Sequence, residues 1–439
     1  MKVCVISNLF PPYHRGGAER VVASTIAGLK ARGFEVIVIT AAPRCSGYRA
    51  SKPVEEDGVR VYRFFPRNLF FYGDDFRHSA PVRFVWHIFD VFNIFSYFTI
   101  KRILLREGPD VVHTHNLKGI GYLIPLLVRR LGIHYAHTLH DVQLVTPSGI
   151  IMKYHEHDFP NNFFLTRLYE RLNRRLFGSP SVLISPSKFL MNFYVERGFF
   201  KNSKKIILPN PVDRVGGEAH MFSQEPTVCR FVYLGQIEEH KGVLLLIKTF
   251  RALVEEDRAP FSSNARRPGS VAPLETHAST TFCNSQHEDR SGWRLTVAGS
   301  GSKLAHAQKL AAGCPQISMR GRVGREELQS ILREADVTVV PSLCYENSPT
   351  VIFESFAFGV PVLASAIEGV SELIQDGKNG LTFTAGNADG LASGLKWFAE
   401  HRAQWPEMSV AAKVSLSGLD LPSYLDKLVN LCYSTQLLI

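Results

Sequence analysis

Two glutamates eight positions apart, Glu346 and Glu354, stand in the stretch Cys344–Ser365 (CYENSPTVIFESFAFGVPVLAS), with Pro349 between them and Gly359-Val360-Pro361 after. The valine-rich run before Pro341 predicts a strand ending there, with Glu346 in a loop and Glu354 on the helix that follows. On that helix Ile352, Phe353 and Phe356 can pack inward while Glu354 faces a cleft. A carboxylate so placed accepts hydrogen bonds from two vicinal hydroxyls, as on a ribose. Glu346, beside the N–H groups of Asn347 and Ser348 at a helix start, suits a second polyhydroxylated group. The two acids could also form a glycosidase pair, but neither a third acid nearby nor a matching fold signal supports that.

A second candidate is Gly16-Gly17, at the end of the loop Asn8–Gly17 (NLFPPYHRGG). Two glycines opening a helix let backbone N–H groups approach a phosphate or sugar closely; an ordinary tight turn explains the same residues equally well. Neither Gly16-Gly17 nor Gly299-Ser300-Gly301 satisfies G-x-G-x-x-G, and the P-loop ending is absent, which argues against a nicotinamide oxidoreductase and a P-loop kinase or ATPase. His113, His115 and His140 look like metal ligands but fall at two different strand ends, so a structural or substrate role is the better reading.

The elements that must hold these residues follow from the apolar pattern. Lys2–Ser7, Phe34–Thr40, Val59–Phe64, Asp110–His115, Tyr135–Leu139 and Val182–Ser185 read as short, Val- and Ile-rich strands. Between the first two, Val22, Ile26 and Leu29 mark one helix face within Ala18–Arg32, and Gly33 stands where a C-terminal cap belongs. After Pro209-Asn210-Pro211 the rhythm restarts with Arg230–Leu234, Arg294–Ala298, Val337–Val340 and Val360–Ala364, separated by helices such as Val243–Glu256 and Glu326–Ala335. The expected fold class is α/β, with two doubly wound Rossmann-like domains facing across a cleft: residues 1–208, and residues 209–419. A last helix within 420–439 is able to pack on either. Residues 259–292, rich in Ser, Pro, Asn and Arg, are expected to be a flexible insertion without chemistry.

The 439 residues are 45% apolar and 21% charged, with mean hydropathy −0.01, an ordinary globular composition. Seven scattered cysteines without a C-x-x-C pair indicate a reducing compartment. MKVCVISN lacks the apolar core of a signal peptide, so a cytoplasmic location is expected. Residues 1–205 carry 29 Lys and Arg against 15 Asp and Glu, and the remainder 21 against 25. The basic half suggests an anionic partner: membrane surface, nucleic acid or phosphorylated substrate. Phe84–Ile100 is interrupted by His87, Asp90 and Asn93, so buried core is the expectation and a membrane-touching helix the alternative. Phe164–Phe177 sets Phe164, Leu165, Leu168, Leu172 and Leu176 against Arg167, Arg171, Arg174 and Arg175, a pattern that suits anionic lipid or a helix packed on a sheet.

Taken together the motifs resemble retaining glycosyltransferases of family 4, which have the GT-B fold. The resemblance rests on Glu346-x7-Glu354 with its Gly-x-Pro continuation and on positions in order along nearly the whole chain. These are Gly16-Gly17-Ala18-Glu19-Arg20, His113-Thr114-His115-Asn116, His140-Asp141, Ser185-Pro186-Ser187, Pro209-Asn210-Pro211-Val212-Asp213, Gly235, Lys241-Gly242, Gly299-Ser300-Gly301 and Gly377-Lys378-Asn379-Gly380. It implies that Glu354 holds the donor ribose and Glu346 the transferred sugar, with backbone N–H groups of the Asn347–Thr350 stretch (Asn347, Ser348 and Thr350, around Pro349) assisting. Lys241 would neutralise the departing diphosphate, Gly16 and Gly17 would approach the same phosphates, and His140 would contact the sugar. Gln236 departs from the pattern, in which Arg usually pairs with the diphosphate; Arg322 is a compensating candidate by composition alone.

The implied activity is transfer of a sugar from a nucleotide diphosphate donor to a lipid-linked or phosphorylated acceptor, in polysaccharide or glycolipid assembly. No metal and no cofactor beyond the nucleotide-sugar are implied, as no Asp-x-Asp triplet is present, and no nucleic acid partner. The basic half allows a peripheral position on an anionic membrane surface. Two other readings stand beside this one: a GT-B synthase with a soluble sugar or sugar-phosphate acceptor, and a non-catalytic sugar-nucleotide binding protein.

Overall fold

The computed structural model of the chain describes residues 1–13, 16–49, 52–158, 161, 163–212, 222, 228–258 and 292–433. Of the expected insertion, residues 259–291 lie outside these, as do Asp213 and the last six residues.

The first sheet has eight strands: β1 (Lys2–Ser7), β2 (Glu35–Ala41), β3 (Val54–Glu56), β4 (Val59–Phe64), β5 (Val111–Thr114), β6 (His134–Thr138), β7 (Val182–Ser185) and β8 (Lys204–Ile207). Their spatial order is β3-β4-β2-β1-β5-β6-β7-β8, and every pairing is parallel except β3 with β4. Alternation along β1 sends Cys4 and Ile6 into one core and Val3 and Val5 into the other, so both faces are covered. α1 (Gly17–Ala31) covers one face through Val22, Ile26 and Leu29. Gly33, at φ +82, follows its end as the left-handed residue expected there. The other face is covered by α2 (Ala80–Val91), α3 (Ile94–Glu107), α4 (Ile124–Arg130), α5 (Phe164–Phe177) and α6 (Lys188–Glu196).

The second sheet has six parallel strands: β9 (Cys229–Leu234), β10 (Trp293–Ala298), β11 (Ile317–Gly321), β12 (Val337–Val340), β13 (Val362–Ser365) and β14 (Gly380–Phe383). Their order is β11-β10-β9-β12-β13-β14. This is a doubly wound order whose crossover direction reverses between β9 and β12. α7 (Val243–Arg258), α8 (Leu304–Ala311), α9 (Arg325–Glu334), α10 (Thr350–Phe358), α11 (Ala388–Glu400) and α12 (Trp405–Val414) surround it. β13 begins at Val362, two residues later than its apolar run suggests, because Pro361 has no N–H to give a ladder.

The chain then crosses back. Val212 N–H donates to Leu419 C=O at 2.8 Å, so the outgoing and returning segments run side by side. α13 (Leu421–Leu428) buries Tyr424, Leu425 and Leu428 in the cluster of Val3, Val22 and Ile26. Beyond it, the Tyr433 hydroxyl lies 2.7 Å from His113 Nδ1. The last described helix therefore belongs to the first sheet.

The stretch Phe84–Ile100 differs from its expectation of buried core. It is two helices, α2 and α3, broken at Phe92-Asn93, where the Asn93 side chain caps α3 by accepting from Ser96 N–H at 2.8 Å. Trp86, Val91 and Ile100 are buried, whereas Phe84, Ile88, Phe89, Phe92, Ile94 and Phe98 are exposed. α5 splits its apolar stripe: Leu172 and Leu176 pack on the core, Phe164, Leu165 and Leu168 are exposed, and Thr166, Asn173 and Phe177 fill the inward face.

Candidate active site

The loops after β9 and β12 are neighbours because those strands pair. The first carries Lys241 at the end of a single 3-10 turn, Glu239–Lys241, closed by Gly242 at φ +71. A Cβ on Gly242 would lie 1.8 Å from the Pro341 carbonyl oxygen, so only glycine lets this turn press on the end of β12. Leu343 N–H donates to His240 C=O at 2.8 Å and ties the two loops together. Lys241 Nζ then donates to Glu346 Oε1 at 2.6 Å, and the Ser342 hydroxyl donates to the same oxygen at 2.7 Å. Burial alone would lower the Lys241 ammonium, but Glu346 and Cys344 beside it raise it overall. Burial, with Glu346 adding to it, pushes the Cys344 thiol up to about 12, so it stays protonated.

Glu354 sits on α10, whose Ile352, Phe353 and Phe356 are buried as the spacing predicts. Across the cleft, Arg20 of α1 donates from Nη1 to Glu354 Oε1 at 3.0 Å. The first turns of α1 and α10 also meet: a Cβ on Gly17 would lie 2.6 Å from Thr350 Cγ2. Two positive helix ends thus converge beside Lys241's loop, an arrangement that favours an anion. Gly16 N–H, expected to point at a phosphate, instead donates to Glu19 Oε2 at 2.8 Å within its own helix. The Ser348 hydroxyl is buried without a hydrogen-bond partner among the described residues.

Asn347 joins both domains. Its Nδ2 donates to His140 C=O at 2.9 Å, and its Oδ1 accepts from the Ser187 hydroxyl at 2.7 Å. His140 Nε2 lies 2.9 Å from His115 Nδ1, and burial lowers His140 to about 4, so its ring is neutral near pH 7. Further links hold the domains together. Lys153 N–H donates to Leu343 C=O at 2.8 Å, and Tyr345 N–H donates to Ile151 C=O at 2.9 Å. Glu372 accepts from Lys188 and Phe189 N–H at the start of α6 at 2.9 and 2.6 Å.

Gln236 follows β9 with an exposed side chain, and its C=O accepts from the Tyr233 hydroxyl at 2.6 Å. Arg322 is exposed just after edge strand β11, with β10 and β9 between it and β12. The second cation brought to the carboxylates is Arg20 instead. Arg20 stands in the Gly16–Arg20 motif with no role implied for it; its place one turn after Gly17, on the cleft end of α1, is the signal that could have found it. Ser342 and Ser187 were likewise missed as partners of Glu346 and Asn347. Among the described residues no three His, Cys, Asp or Glu side chains converge as metal ligands would.

Residues 16–211 match the family model of the glycosyl transferase 4-like domain, and residues 278–401 that of glycosyl transferases group 1. An uncharacterized glycosyltransferase of Methanocaldococcus jannaschii is 33% identical over 414 residues, 90% of this chain and 88% of that one. The lipopolysaccharide 1,2-N-acetylglucosaminetransferase of Salmonella typhimurium is 25% identical over 232 residues, 50% of this chain and 53% of that one. The chain spans about half the length of that relative and of an uncharacterized Klebsiella pneumoniae protein, at 53% and 56%. Among solved structures, sucrose-phosphate synthase from Thermosynechococcus elongatus matches with a TM-score of 0.68 at 16% identity, covering 98% of both chains. Anabaena HepE, solved with UDP and glucose, matches with a TM-score of 0.64 at 15% identity, covering 98% of this chain and 99% of that one. Two Rossmann-like lobes meeting at their strand ends are the GT-B architecture. The chain belongs to the glycosyltransferases.

Proposed function

We propose that this glycosyltransferase moves a sugar from a nucleotide diphosphate donor to a lipid-linked or phosphorylated acceptor with retention, without a metal, in polysaccharide or glycolipid assembly. The observation that carries the reading is the convergence of Lys241–Glu346 with the first turns of α1 and α10, where Gly17 meets Thr350. The diphosphate lies against those helix ends and Lys241. Glu354 exchanges Arg20 for the two ribose hydroxyls, and Glu346 with the N–H groups of Asn347, Ser348 and Thr350 and the Ser348 hydroxyl holds the sugar. His140, neutral at pH 7, hydrogen-bonds that sugar.

In the chemical step the bond from the anomeric carbon to the phosphate oxygen breaks and its electron pair stays on phosphate. The charge that develops there is met by a cation already in place, which lowers the barrier. The acceptor oxygen bonds to the anomeric carbon from the same face, and its proton passes to the departing phosphate. The basic first domain holds the acceptor, and relatives named for lipopolysaccharide work support that acceptor class.

The test is thermal stabilisation by UDP-, GDP- and ADP-sugars, followed by product stereochemistry with the donor that stabilises most. One donor should raise Tm well above the rest and yield product with the donor's anomeric configuration. An inverted product, or donor binding without turnover on any lipid-linked or phosphorylated acceptor, would overturn the reading.

A further inference from the structure

α2 turns its longer apolar stripe away from the core. Phe84, Val85, Ile88, Phe89 and Phe92 fall at i, i+1, i+4, i+5 and i+8, one apolar stripe that would normally face the core. Here the stripe faces outward. The buried side carries Trp86, Asp90 and Val91, with Asn93 just beyond, Asp90 accepting Gly119 N–H at 2.8 Å. α3 continues the surface, so that Phe84, Ile88, Phe89, Phe92, Ile94 and Phe98 are each 48 to 61% exposed. Apolar surface this continuous marks an interaction site.

Charge identifies the partner. The charged residues of α2 and α3 that reach solvent are Arg83, Lys101, Arg102 and Arg106, all basic, while their acids, Asp90 and Glu107, are buried. α5 lies over the same face of the first sheet, since Phe177 shares one buried cluster with Val91 and Ile100. Its Phe164, Leu165 and Leu168 are exposed beside exposed Arg167, Arg171 and Arg175. Among the described residues no helix is long and apolar enough to cross a membrane.

We infer that the outward stripe of α2 and α3, flanked by α5, is the surface on which this protein docks to an anionic lipid bilayer, aromatic side chains entering the interface and arginines meeting headgroups. A second copy is the poorer occupant, because the same face on both partners sets arginine against arginine. The inference stands on the exposed residues alone and does not depend on the assigned reaction.

The test is co-sedimentation of the full chain with vesicles of phosphatidylcholine alone and of phosphatidylcholine with phosphatidylglycerol. Binding to the anionic vesicles should exceed binding to the neutral ones by ~10-fold or more and weaken with salt. The triple variant Phe84→Ser, Phe89→Ser, Phe92→Ser should lose ~10-fold or more of that binding, with sugar-nucleotide stabilisation and far-UV circular dichroism unchanged. Replacing Arg167, Arg171 and Arg175 by Gln should flatten the salt dependence. Equal binding by the triple variant, no binding by the parent chain, or a dimer that the triple variant dissolves would each overturn the inference. Those readouts leave donor turnover untouched, so either idea can fail while the other stands.

Discussion

The two domains share a fold plan and differ in what they leave outside. In the second, Val410 and Val414 are the exposed large apolar side chains among the described residues, and its acids outnumber its bases. The first is strongly basic and leaves a row of phenylalanines in water along α2 and α3. A parallel sheet buried on both faces satisfies its core either way, so the difference concerns use. The second domain brings charges to strand ends, where the proposed function has them act on a small anion. The first presents a broad surface suited to something large.

The sharpest way to break that division is to remove the second domain's cation. Lys241→Ala should lower kcat by ~10²–10³-fold, with a smaller change in donor affinity, because charge on the diphosphate grows toward the transition state. Steady-state kinetics separate the two; a loss confined to affinity would contradict the role. Glu354→Ala should weaken donor binding by ~10-fold or more, the scale for losing a charged partner of two hydroxyls, with Tm of the free protein changing little because its partner Arg20 is 68% exposed.

Gly17→Ala tests whether the domains must approach closely. The added methyl meets Thr350 Cγ2, so activity should fall ~10-fold. Thr350→Ser in the same chain removes that carbon and should restore most of it. Failure of the rescue would place the effect elsewhere.

A pH series examines the buried histidines of the first domain. Burial holds His87, His113 and His137 near 3 and His140 near 4, and lowers His115 well below its usual value. Burial also pushes Asp90 up to about 7 and Asp141 up to about 6, which works in the opposite sense. Five groups outweigh two, so the unfolded chain binds more protons from about pH 6.5 down to about 4, and stability falls through that window. Tm should drop as pH is lowered from 7.5 to 4.5. His113→Asn should start lower, having lost contacts to Tyr433 and Thr138, but fall less steeply. The smallest effect belongs to Gln236→Arg, which should keep turnover and tighten donor binding ~2- to 10-fold; inactivation would show that Gln236 has another job.

Much of this was legible in the residues. Inner strands such as β1, β7 and β12 stand at their expected positions because strands buried on both faces need apolar runs rich in β-branched residues. β8 was not legible: Lys204–Ile207 is an edge strand with three exposed residues, so no alternation or apolar run announces it. The apolar content of α2 was plain, but its orientation was not, since periodicity defines a stripe without saying which side the sheet lies on.

The amino-acid order by itself determined the doubly wound class, one acid on a loop and the other on the helix that follows, and the charge asymmetry, because each is written in local pattern or composition. Tertiary structure alone decided that Lys241 meets Glu346, Arg20 meets Glu354 and Tyr433 meets His113. Those pairs are 105, 334 and 320 positions apart. Strand order and the closure of one lobe on the other bring them together, and neither is encoded in any short stretch of chain.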